Sequence, residues 1–268
     1  MTEEEWWKRG KPNVILGFII MLTGLAFTLP YLPCLVIMYR SHLFRFSGYK
    51  LMFYVGLTDI ICLTVNSLFS GGLTMIGAMP CPYLDVEYFV GLSGVAMWCN
   101  QSTSAVLLAF SRCVELWKPK YLYASFLGRR TYCWIGVTFL YTSVFAVYSK
   151  GPVYSSLGYA WFYDPYYGMP EFEKMDKSEY INWIHTSHNI GIVVVLPVIY
   201  LFLLFSVFYK TKSGTGQLSK VQTLISVQAL FICVFTLVTG IVYIYMQFIH
   251  TSVEVSVFFI FVWMCSNG

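Results

Sequence analysis

Few side chains in this sequence could do chemistry inside an apolar surrounding, and their types and spacing limit what that chemistry is. Asp59, in GLTDIICL, is the one formal charge deep within an apolar run. A carboxylate there reads either as a switch or cation site shared with Gln101, or as a polar link between helices. Its expected partners are Asn66, Asn100, Gln101 and Ser104. Trp98, Asn100 and Gln101 sit mid-depth in a second run, and His185 and His188 are three apart, a spacing that shares one helix face. With Trp263 they make the candidate ligand-binding set, aromatic faces for an apolar body and amides and imidazoles for its polar end. Two histidines could share a metal, but no further ligand stands at metal-site spacing, and the expectation is neither metal nor cofactor. The eight cysteines include no CxxC pair and fall inside or at the ends of apolar runs, where they read as small packing residues.

Gly91, Leu92, Ser93 and Gly94 form a GxSG string of the kind intramembrane serine proteases use. Such a serine needs a histidine base at similar depth, for which only His185 and His188 are available. Small residues in an apolar helix equally form a close-packing surface, and the expectation is no catalytic residue and no enzyme.

The elements that position these residues follow from composition. Of 268 residues, 57% are hydrophobic and only 11% charged, whereas soluble domains carry about 25% charged residues. The chain therefore sits in a lipid bilayer. Its net charge of +4 comes from short clusters between apolar runs, with no basic face or nucleic-acid motif, which excludes a nucleic-acid partner. Seven runs are read as helices: Val14 to Tyr39, Leu51 to about Ala78, Tyr88 to Ser111, Thr131 to Ser149, about Trp183 to Tyr209, Val221 to Ile249, and about His250 to Gly268. The third has 24 uncharged residues, about 36 Å of helix, enough for a hydrocarbon core about 30 Å thick. Kinks without breaks are expected at Pro30, Pro33 and Pro197.

Orientation comes from the basic residues in alternate joints. Eleven lie in the joints after runs one, three and five, against three in the joints after runs two, four and six. The first set is expected in the cytoplasm, which puts the amino terminus outside a plasma membrane, residues 1–13 as an outer head and residues 14–268 as the membrane domain. The long joint from Lys150 to Asn182 holds an aromatic cluster, Trp161 to Tyr167, around Asp164 and Pro165 and is expected to form a packed lid. A transporter or channel would show several midplane charges or paired half-sequences. A receptor needs a polar, aromatic outer cavity, a bundle that can rearrange and a basic inner face.

Four stretches, YLPCLVIM at Tyr31 to Met38, YKLMFYVGLTDIICL at Tyr49 to Leu63, the Cys81 to Leu116 run closing in SRCVEL, and YAWFYDP at Tyr159 to Pro165, resemble the nematode serpentine receptors of class T. That resemblance implies an all-α, rhodopsin-like seven-transmembrane bundle that acts as a chemosensory-type G-protein-coupled receptor. It implies a small-molecule ligand between the outer halves of runs three, five, six and seven, and a heterotrimeric G protein as partner. Arg112 then resembles the arginine that closes the third helix against the G protein, with Lys210, Lys212 and Lys220 beside it. Asp59, Trp134 and Pro197 resemble the second-helix aspartate, fourth-helix tryptophan and fifth-helix proline. The sequence departs from the rhodopsin-like pattern in several places. The long joint has no cysteine for Cys81, Ser111 stands where an aspartate precedes the arginine, and the sixth run lacks both tryptophan and proline. The last run, ending Ser266, Asn267, Gly268, is short and lacks an NPxxY-like end, so a truncated, non-signalling receptor and a transporter or channel are the alternatives.

Overall fold

Lipid leaves each spanning segment to satisfy its own backbone N–H and C=O groups, so the apolar runs fold as helices. A computed structural model, which describes residues 3–212, 220–249 and 251–267, has α1 at Glu3–Arg9, α2 at Val14–Arg40, α3 at Ser47–Ile76 and α4 at Leu84–Trp117. A short α5 at Lys120–Phe126 leads to α6 at Thr131–Tyr148, α7 at Trp183–Lys212, α8 at Lys220–Phe248 and α9 at Val253–Asn267. Helices α2, α3, α4, α6, α7, α8 and α9 correspond to the seven runs and pack as an all-α bundle. Val14–Arg40, Ser47–Ile76, Gly128–Tyr148 and Trp183–Lys210 are long and apolar enough to cross a membrane by length and composition. Helix α2 continues through Pro30 and Pro33, and α7 through Pro197. His250 and Gly268, the bounds read for the last run, lie outside the described residues.

Helix α4 is the axis, packed against α3, α6 and α7 and touching α8. It begins four residues before the uncharged run, at Leu84, and so takes Glu87 into the structure. Glu87 is 1% exposed there; its Oε2 accepts the Tyr154 N–H at 3.1 Å, while Oε1 has no partner among the described residues. Helix α3 contains a π-turn at Thr64–Phe69. The helix packs against α2 through small residues, since a Cβ on Gly24 would lie 2.0 Å from the Ser67 Cβ and one on Gly17 2.5 Å from the Gly71 carbonyl oxygen.

The long joint folds at the end of the bundle opposite Arg112. Its strands β1, Val153–Ser155, and β2, Ala160–Phe162, pair antiparallel with Val153 opposite Phe162. The hairpin is seated deeply. Tyr154 is fully buried, and the Trp161 Nε1–H donates to Ser70 Oγ of α3 at 2.8 Å. Gly91 of α4 makes this approach possible, because a Cβ there would meet the Pro152 carbonyl oxygen at 1.9 Å. The head is part of the same cover. Trp6 of α1 is buried against Met79 and Met169, and Arg9 grips both carboxylate oxygens of Glu171 at 2.8 Å.

Candidate functional site

A cavity of about 400 Å³ opens at the hairpin end. Its helical wall presents Trp98 from α4, His185 from α7, Tyr243 and Gln247 from α8, and Trp263 from α9. The opposite wall is the aromatic loop, chiefly Trp161, Phe162, Tyr163 and Tyr167, with Phe162 stacked on Tyr167 at 3.6 Å between ring centroids. At the mouth, Lys177 and Asp164 pair at 2.7 Å. The helical wall itself carries no formal charge. Such a space, mostly apolar with a few fixed polar groups, suits one small organic molecule.

The polar groups of the helical wall are joined in a chain. The Trp98 Nε1–H donates to Asn189 Oδ1 at 2.9 Å, and Asn189 Nδ2 lies 3.2 Å from His185 Nε2. His185 Nδ1 lies 3.1 Å from Gln247 Nε2, and Gln247 Oε1 accepts the Asn182 backbone N–H at 3.0 Å. Asn189 is one turn beyond His185, so helical spacing stacks the two on one face. Trp263 packs its edge on Tyr243, and its Nε1 has no partner among the described residues.

The six residues of the predicted ligand set separate in space. Trp98, His185 and Trp263 line the cavity. His188 does not. It faces α4 and α6, with Nε2 2.9 Å from Ser102 Oγ and Nδ1 3.0 Å from Tyr141 OH, in a second groove on the flank of the bundle. A one-face spacing still spreads two side chains by tens of degrees, enough to send one inward and the other between neighbours. Asn100 also faces away, accepting from Tyr54 OH at 2.9 Å and Thr142 Oγ1 at 3.4 Å, and so ties α3 and α6 to α4. Gln101 is fully buried and outside the cavity lining, beside Asp59.

Asp59 is 5% exposed, and its Oδ2 accepts from Tyr31 OH of α2 at 2.7 Å, while Oδ1 has no partner among the described residues. Its shortest hydrogen bond is thus to a tyrosine from the first run, while Gln101 of the expected set also interacts with the carboxyl group. Asn66 instead donates to the Ile260 carbonyl of α9 at 3.2 Å. At the other end of the bundle, Arg112 pairs with Glu115 at 2.9 Å, its Nη2 contacts Met52 Sδ at 3.3 Å, and Glu115 also accepts from Ser47 Oγ at 2.9 Å. Lys210 bonds the Leu116 carbonyl and lies 5.2 Å from the Trp117 ring centre, so it staples α7 to α4. Lys212 is exposed at the end of α7, and the Lys220 side chain lies outside the described residues.

Ser93 is exposed on the outside of the bundle, its hydroxyl donating to the Phe89 carbonyl at 2.7 Å, and both histidines are bonded elsewhere. No nucleophile and base meet there among the described residues. The small residues of the string serve packing, Gly91 against Pro152 and Gly94 against Val65 and Trp263. All eight cysteines are free, with Cys81 exposed.

Tyr243 and Gln247 of the cavity lining, and Asn189 behind it, are absent from the set read in the sequence, whereas Tyr163 falls in the aromatic cluster expected as a lid. A signal for Gln247 existed, since it is the one amide in the second half of its run. Tyr243 carries no such mark, because aromatic residues are spread through every run.

The family profile described as "Serpentine type 7TM GPCR chemoreceptor Srt" matches residues 2–268. A curated relative, serpentine receptor class T-55 of Caenorhabditis elegans, is 25% identical over 236 residues. The match covers 86% of this chain and 62% of the relative's length.

Proposed function

The chain belongs to the serpentine seven-transmembrane chemoreceptor family Srt, and from that membership we propose that it is a plasma-membrane, chemosensory-type receptor whose hairpin-end cavity binds a small molecule. The amino terminus and hairpin lie outside, in keeping with the eleven-to-three distribution of basic residues between alternate joints. The observation that carries the reading is the cavity itself. It is enclosed by α4, α7, α8 and α9 together with the hairpin loop, so an occupant touches the four helices whose relative packing can transmit a signal.

Ligand contact with Trp98, His185 and Trp263 favours one packing of the helices over another. At the far end, the change reaches Arg112, held between Glu115 and α3, and the Lys210 staple between α7 and α4. These, with Lys212 and Lys220, form the contact surface for a heterotrimeric G protein. Asp59 and Gln101 lie between the two ends and serve as the polar switch of α2, α3 and α4, which supports coupling over the length of the bundle.

The test is ligand-driven G-protein activation in cells. Val95→Phe narrows the cavity without touching the Arg112 end, and loss of response at equal surface expression is expected. A response to the same ligand at the same concentration would sink the cavity assignment. For Arg112→Ala, agonist-driven activation that remains intact at equal surface expression would remove Arg112 from the coupling role.

A further inference from the structure

The chain from Trp98 to Asn182 has a hydrogen too many. It has four links, Trp98 to Asn189, Asn189 to His185, His185 to Gln247, and Gln247 to the Asn182 backbone. Both terminal groups, an indole N–H and a backbone N–H, can only donate. Each of the three residues between them presents one donor and one acceptor: the amides through NH₂ and C=O, a neutral imidazole through its two nitrogens. A run of such relays passes donor character unchanged from one end to the other. It can therefore be satisfied only if one terminus donates and the other accepts.

Here both donate, and the conflict survives every amide flip and either imidazole tautomer. Turning Gln247 moves it to the Asn182 link, and turning Asn189 moves it to the Trp98 link. A protonated ring makes two conflicts instead of one. Asn182 offers no relief through its side chain, whose Oδ1 accepts the His185 backbone N–H at 3.0 Å and whose Nδ2 donates to Ser149 Oγ at 2.8 Å. The link with both members on the cavity wall is His185 to Gln247. Trp263 adds a second donor on that wall with no partner among the described residues.

We propose that the cavity recognises a neutral, mostly apolar molecule through one oxygen acceptor, a carbonyl or an ether, which takes the surplus hydrogen at the His185–Gln247 link. This rests on the reading of the cavity as the ligand site and narrows it to a chemical class. An ammonium ligand is disfavoured at that link, since it brings more donors to a place that lacks an acceptor. A pure hydrocarbon is disfavoured too, since it leaves the surplus donor buried and unanswered.

Two substitutions remove the surplus by different routes. Trp98→Phe deletes one terminal donor, after which Asn189 can turn its oxygen to the ring. Gln247→Glu puts a carboxylate that accepts from both Asn182 and His185. The experiment measures binding of 2-nonanone, 2-aminononane and nonane to the purified full chain in nanodiscs, with concentrations corrected for partition into lipid. Thermal midpoints of the unliganded proteins are recorded alongside. The expected result is that the ketone binds wild type at least about tenfold more tightly than the other two. That preference falls to within a few-fold in both variants, and both unliganded variants melt higher than wild type.

Equal binding of all three probes to wild type overturns the acceptor proposal while leaving the cavity as a ligand site. Failure of all three to bind, with the variants still melting higher, overturns the cavity reading and the proposal built on it while leaving the donor surplus standing. No binding and no rise in either variant's midpoint overturns both.

Discussion

At the scale of single residues, the buried polar groups are defined by the partners they meet. Asp59 reads from sequence as a lone carboxylate, but its bond is to Tyr31, 28 positions earlier and on another helix. Tyr31→Phe is expected to cost about 1–3 kcal/mol, because it strips a hydrogen-bond donor from a buried carboxyl group. Adding Asp59→Leu to that variant recovers most of the loss, because removing both partners is nearly neutral. Thermal unfolding of the three proteins in nanodiscs checks this. If the single and double variants melt together, the Tyr31–Asp59 bond does not support the fold. The two histidines make the same point. Their spacing of three was legible, but that His185 enters the cavity and His188 joins Ser102 and Tyr141 depends on which neighbours pack against α7.

At the scale of elements, close approach decides which helix can sit against which. The hairpin reaches α4 only because Gly91 has no side chain where the Pro152 carbonyl lies. Gly91→Ala is expected to destabilise by about 1–3 kcal/mol or to displace the hairpin, whereas Gly136→Ala, where a Cβ meets nothing within 4 Å, leaves the thermal midpoint unchanged. Equal midpoints for both variants would mean the hairpin is not seated on α4. At the other end, Glu115 carries both Arg112 and Ser47 and so binds the end of α4 to the start of α3. The family resemblance implies an aspartate just before the arginine, where this chain has Ser111. The structure supplies an acid one helical turn later instead. Glu115→Gln weakens that hold, and a rise of several-fold in ligand-independent G-protein signalling is expected at equal expression. Unchanged basal signalling would make the pair a structural contact alone.

At the scale of the whole molecule, the head packs on the hairpin loop, and that loop walls the cavity between the helices. The Arg9 hydrogen bonds hold the Glu171 carboxyl below its ordinary value of 4.5. A lowered carboxyl contributes its docking energy above 4.5 and loses it as the pH falls through the lower folded value. In protein labelled with 5-fluorotryptophan, the Trp6 fluorine resonance is therefore expected to shift modestly on acidification below 4.5, with no such step in Glu171→Gln. A matching step in that variant would assign the transition to another group. The sequence by itself determined the membrane setting, the seven helices and the aromatic character of the long joint. These follow from local composition and from the length of helix that lipid demands, and they need no knowledge of neighbours. Only the tertiary structure decided that α4 would extend to take in Glu87, that α1 would dock on Glu171, and that Trp98, Asn189, His185, Gln247 and Asn182 would share one hydrogen-bonded chain. Each of these joins residues far apart in sequence, and such pairings are set by side-chain shape and by the need to satisfy buried polar groups across helices, which no local pattern records.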